Sequence, residues 1–81
     1  MAKVFLTSQA QRDFKKISVK DKAKIRKGLS LLQDQPLAGK KLKGKLVGLY
    51  SLRIWPYRAI YLIQNNQVWV VHLFHHQGAY K

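Results

Sequence analysis

LYSLRI (Leu49–Ile54), Trp55-Pro56, YRAIYLI (residues 57–63), QNNQ (64–67) and VWVVHLF (68–74) make up the stretch that decides the fold. Its three apolar segments alternate with a period of two, are rich in β-branched and aromatic residues, and are separated by turn-forming residues, so they read as a three-strand meander. Trp-Pro is a poor two-residue hairpin turn, and the reading places a longer loop there with the same centre.

Upstream, LAGKKLKGKLVG (residues 37–48) mixes lysine with glycine and is assigned no regular structure, only a basic loop that bends close to a partner. Pro36 must end whatever helix precedes it. That helix starts at Ser18, with Asp21 three residues on, runs to about Gln33, and carries Ile25, Leu29 and Leu32 on one face. An earlier helix shows a capping arrangement at Ser8 and Gln11 and an apolar stripe of Ala10, Phe14 and Ile17. KVFLT (residues 3–7) reads as a strand before it. The order β-α-α-β-β-β predicts a single α+β domain over residues 1–81, a helical hairpin packed on a twisted, mainly antiparallel sheet.

Composition narrows the function. The 81 residues carry 16 Lys+Arg against 3 Asp+Glu, a net charge of +13. All three acids, Asp13, Asp21 and Asp34, precede Pro36. Such an excess repels itself in a compact fold and attracts polyanions, so nucleic acid or an acidic protein is the expected partner. A domain this small buries only about 60% of its unfolded surface and is marginally stable. The absence of cysteine excludes disulfides, thiolate metal sites and a cysteine nucleophile, and favours a reducing compartment. No apolar run reaches the ~20 residues that span a bilayer, and residues 1–7 are too short for a signal peptide's apolar region. A cytoplasmic chain with no membrane partner is expected.

Arg53 and Arg58 bracket the Trp55-Pro56 turn symmetrically and face each other if the hairpin closes there. Directly opposed like charges destabilise a strand pair by ~0.2–1 kcal/mol, so an anion between them, phosphate first, is the natural occupant. The competing reading has both guanidinium groups solvated or stacked on Trp55 or Tyr57. Lys40, Lys41, Lys43 and Lys45 add a second cluster suited to backbone phosphates. With Tyr50, Trp55 and Tyr57 as stacking platforms, the combination suits a single strand. His72, His75, His76 and Tyr80 follow, and histidine alone has an unperturbed pKa, ~6.5, near neutrality. His72 is expected in or beside the core. Asp13 and Asp21 are taken as helix-surface residues. The spacing of His72 and His76 suits a metal only on a helix, and no acidic third ligand is near, so no metal or other cofactor is expected.

KLKG (residues 41–44), GLYSLRI (48–54), PYRAIY (56–61), VWVVHLF (68–74) and HHQGAY (75–80), in this order, resemble the RelE/ParE superfamily of bacterial toxin-antitoxin toxins. The resemblance covers nearly the whole chain. It implies a microbial-ribonuclease-like α+β fold and, in the RelE branch, metal-independent cleavage of messenger RNA on the ribosome, with ribosomal RNA contacts. It further implies a cognate acidic antitoxin and a toxin-antitoxin hetero-oligomer. Carried over by position, Arg58 matches the arginine of a tyrosine-arginine pair and Arg53 a basic strand position, both at the scissile phosphate. His76 stands where many members have arginine and the YafQ-like branch has its proton-transfer histidine. Tyr80 matches the terminal aromatic, His75 joins the RNA-binding set, and Ser51 replaces a catalytic lysine. The resemblance thus implies a messenger RNA endonuclease of the RelE/YafQ-like branch. The alternatives are a gyrase poison of the ParE type without nuclease chemistry, and a degenerate RNA-binding module.

Overall fold

The computed structural model describes residues 2–75. Its elements run β1 (Lys3–Leu6), α1 (Ser8–Lys15), α2 (Val19–Asp34), β2 (Lys40–Lys41), a 3-10 turn (Gly44–Leu46), β3 (Leu49–Ile54), β4 (Tyr57–Gln64) and β5 (Gln67–His75). They build one mixed sheet in the order β1-β5-β4-β3-β2, with β1 parallel to β5 and every other pair antiparallel. The two helices pack on one face of this sheet, as the α+β reading expects.

Alternation decides which side chains face the helices. Leu52 and Ile54 of β3, Ala59 and Tyr61 of β4, and Val68, Val70 and Leu73 of β5 are buried against Ala10 and Ile17 and against Ile25, Leu29 and Leu32 of α2. Phe14, Val4, Leu6 and Ile63 pack at the margin. The helix packs closely on the sheet at Gly28, where a Cβ would stand 2.6 Å from Ile54 Cδ1. Each apolar stripe expected from the sequence lies in this core.

Caps and turns depart from expectation in instructive ways. The first helix is capped by Thr7, whose hydroxyl accepts the Ala10 amide at 3.3 Å, so Ser8 is its first helical residue; Gln11 reaches back to the Leu6 carbonyl. Thr7 wins because its backbone already pairs with the Val70 carbonyl, which fixes its extended geometry. Ser18 caps α2 through Asp21 N–H as expected. Residues 37–48 are not wholly irregular, since Lys40 and Lys41 pair with Ser51 and Tyr50 as a short edge strand. The β3–β4 turn is two residues, with a cis Trp55-Pro56 bond and Ile54 opposite Tyr57, and not the longer loop expected. Asn65 and Asn66, both at positive φ, close the β4–β5 hairpin.

Candidate nucleic-acid interface

The sheet face turned away from the helices brings Lys40, Arg53 and Arg58 together. Arg53 and Arg58 are direct partners in the β3–β4 register, and Arg58 is opposite Phe74 of β5. The next row across the sheet is Lys40, Ser51, Ile60 and His72. Strands stand ~4.8 Å apart, so the two rows place two guanidinium groups, an ammonium and an imidazole within a few strand spacings. A depression of about 380 Å³ lies at β2, β3 and β4, lined by Gly39, Lys40, Ser51, Arg53 and Arg58 among others.

Ser51 is 4% exposed and its hydroxyl faces Arg58, whose Nη1 lies 3.4 Å from Oγ. A lysine at 51 would add a further cation; here Lys40 on the neighbouring strand lies directly beside that position. All three carboxylates belong to the helices, so no acid stands on the sheet strands. Opposed arginines with no acid on the sheet create a field that an anion relieves. A larger depression of about 670 Å³, lined by Gln33, Asp34, Pro36, Leu37 and Ile63 among others, has no cation among the described residues of its lining to hold phosphate.

The other expected residues scatter. Trp55, 60% exposed, sits at the turn beside the arginines. Tyr50 belongs to the helix side of β3, where its ring stacks on Tyr61 at 5.2 Å. Tyr57 also faces the helices, donating its hydroxyl to Asp21 at 2.9 Å and meeting His75 edge-on. That hydrogen bond, then burial and the Asp21 charge, push the Tyr57 hydroxyl above its ordinary 10.0. Lys41 alternates away from Lys40; Lys43 and Lys45 lie exposed at the 3-10 turn and do not line the depression. His76 and Tyr80 lie outside the described residues.

A family model described as the ParE toxin of the type II toxin-antitoxin system, parDE, matches residues 4–80. The chain belongs to the ParE toxin family. This ParE-family chain is similar to the RelBE2 toxin-antitoxin complex from Mycobacterium tuberculosis, with 29% identity, TM-score 0.85, and coverage of 91% of this chain and 90% of that one. The YoeB-YefM complex from Staphylococcus aureus follows with 27% identity, TM-score 0.76, and coverage of 94% and 98%. The RelE-RelB complex from Pyrococcus horikoshii shares the fold at 19% identity, TM-score 0.80, and coverage of 96% and 98%. No curated protein matches.

Two acids in this ParE-family toxin do more than the sequence reading assigns them. Asp21 holds Tyr57. Asp13 is not a surface residue: its Oδ2 accepts the Leu73 amide at 3.1 Å and meets His72 Nδ1 at 2.8 Å, and Gln9 donates to Oδ1. Beyond β1 the edge of β5 would expose its amides, and α1 covers that edge with this carboxylate. His72 in turn is exposed and not in the core. The reason is a bulge: Tyr61 pairs with Val70 but Ile60 with His72, so Val71 is extra and His72 changes face. The interrupted spacing of Val68, Val70 and Leu73 is the sequence signal that could have shown it.

Burial acts to raise the Asp13 carboxyl, but hydrogen bonds from Leu73, His72 and Gln9, with the His72 charge, outweigh it and hold the group below its ordinary 3.8. A lowered carboxyl stabilises the fold fully above its unfolded value, and that contribution is lost as pH falls through the lowered one. The melting temperature of the wild type is therefore expected to fall more steeply below pH 3.8 than that of Asp13→Asn. Acid melting curves measured side by side check this, and parallel curves would remove the assignment.

Proposed function

We propose that this chain is the toxin of a type II toxin-antitoxin pair that cleaves messenger RNA on the ribosome. The observation that carries the reading is the opposed pair Arg53 and Arg58, with Lys40 beside them, on a sheet that bears no carboxylate. Cleavage by the strand's own 2′-hydroxyl crowds negative charge on one phosphate, and guanidinium groups already in place stabilise that charge without reorganising. Arg53 and Arg58 hold the scissile phosphate, and Lys40 neutralises its neighbour. His76 and Tyr80, by their resemblance to the RelE and YafQ-like branch, serve the proton transfer to the departing 5′-oxygen. Lys41, Lys43 and Lys45, with Trp55 and His75, make RNA contacts around that centre.

A cognate antitoxin fits the same surface. An acidic segment laid over the basic face screens a charge of +13 while covering the exposed Trp55. The similar solved chains come from complexes named as toxin-antitoxin pairs, which supports this partner.

The second reading is a gyrase poison without chemistry of its own, and the match to the ParE family model favours it. Messenger 5′ ends mapped after brief induction separate the two. Codon-phased cuts are expected, and intact messengers together with inhibited supercoiling would establish the gyrase reading instead.

A further inference from the structure

One imidazole-carboxylate pair has no part in that scheme. Asp13 is 12% exposed at its side chain and His72 52%, so a nearly buried carboxylate holds a ring that reaches solvent. The Asp13 carboxyl, held ionised by the donors around it, can only accept. His72 Nδ1 must therefore donate across the 2.8 Å contact, which leaves the lone pair on Nε2. Among the described residues no hydrogen bond engages Nε2. The Val71 bulge puts position 72 on the arginine face, opposite Ile60 and one diagonal step from Arg58, a backbone separation of about 7–8 Å, and its ring turns at the β5 edge to meet Asp13. Phe74 meets the ring edge-on at 5.8 Å and limits its tilt.

We propose that His72, oriented by Asp13, is the general base that takes the 2′-hydroxyl proton of an RNA strand whose phosphate Arg58 and Arg53 hold. The inference rests on the nuclease reading and deepens it. An arginine-bound phosphate sits between the two strands, and the adjoining ribose of an extended strand reaches the imidazole. Nε2 takes the proton; the 2′-oxygen forms the new bond to phosphorus; the bond to the 5′-oxygen breaks, and that oxygen takes a proton from water or from the acid assigned above to His76. The products are a 2′,3′-cyclic phosphate and a 5′-hydroxyl end. Asp13 is a positioning residue that fixes the tautomer and offsets the imidazolium charge. Among the described residues, the other titratable groups near the pair are Lys16 at the C-cap of α1 and Tyr57 and His75, which share a groove with Asp13, and Arg58 of β4.

The test is cleavage of messenger on programmed ribosomes across pH, with ¹⁵N spectra of the isolated chain. His72→Asn keeps a donor for Asp13 but has no base, and is expected to cleave about 10²–10⁴-fold more slowly, with a pH profile that differs from the wild type's. Asp13→Asn is expected to lower kcat with KM unchanged and to change nothing further in a His72→Asn background, a dependence that a purely structural carboxylate would not show. The spectra should show Nδ1 protonated in neutral His72; protonation at Nε2 overturns the proposal. An active wild type beside an equally active His72→Asn with an unchanged profile overturns the base assignment alone. A wild type that leaves messenger intact overturns the nuclease reading, and this inference with it.

Discussion

Arg53→Ala and Arg58→Ala are each expected to lower messenger cleavage by about 10²–10³-fold, the usual effect of removing one preorganised donor from a developing charge. The expected change in stability has the opposite sign for Arg53. It is exposed and directly opposite Arg58, so its removal relieves a like-charge pair that destabilises the hairpin by ~0.2–1 kcal/mol. A more stable protein that cleaves less cannot be explained by unfolding. Arg58→Ala differs, because Ser51 is buried and loses the guanidinium partner at 3.4 Å; that loss, about 1 kcal/mol, offsets the same relief of charge, so no gain in stability is expected there. The two guanidinium groups grip one phosphate, so the double variant should cleave little more slowly than either single one. Lysine at either position restores charge but not the bidentate fork, and should recover only part of the rate. Folded variants that cleave at the wild-type rate would sink the phosphate site.

That arginine pair was legible because its geometry is local. Two residues flanking a hairpin turn at equal distance must meet, whatever the turn's length, and Arg53 opposite Arg58 follows from the centre at Trp55-Pro56 alone. The helices were legible for the same reason, with Ile25, Leu29 and Leu32 marking one face at 3.6 residues per turn. What stayed hidden depends on distant partners. Lys40 and Lys41 have little strand propensity of their own and become β2 only because β3 offers an unpaired edge. Thr7 outranks Ser8 as the cap because Val70, far along the chain, holds its backbone. His72 was misplaced because one extra residue, Val71, inverts the alternation that would have sent it inward. Asp13 reads as one more polar residue on a short helix until α1 is laid along the open edge of β5.

The delivery of Lys40 to the site depends on a buried tyrosine, and this sets the largest expected change in stability. Tyr61 has no exposed surface; its hydroxyl donates to the Pro36 carbonyl at 2.7 Å and accepts the Gly39 amide at 2.9 Å. Both ends of the loop at residues 36–39 are thereby tied to the middle of β4, and Lys40 follows immediately. The tie is close: a Cβ on Gly39 would stand 2.6 Å from the Tyr61 hydroxyl and 3.0 Å from the Ser51 carbonyl oxygen. Tyr61→Ala leaves a ring-sized cavity costing about 3–5 kcal/mol, much of the roughly 5–15 kcal/mol that holds a domain together. Tyr61→Phe keeps the core filled and leaves a partly buried amide and carbonyl without their partner, a loss of about 1–3 kcal/mol. Burial, with the Tyr50 charge, outweighs the Gly39 hydrogen bond and raises the Tyr61 hydroxyl above 10.0. The stability linked to that raised group is complete below its ordinary value and is lost as pH rises through the raised one, so Tyr61→Phe should also flatten the alkaline loss. Gly39→Ala should loosen the same loop from the other side, and both variants should weaken cleavage through Lys40 while leaving the arginine pair in place. Urea unfolding at neutral and alkaline pH measures each effect. A Tyr61→Phe chain as stable as the wild type at both would show that the loop is held by something else.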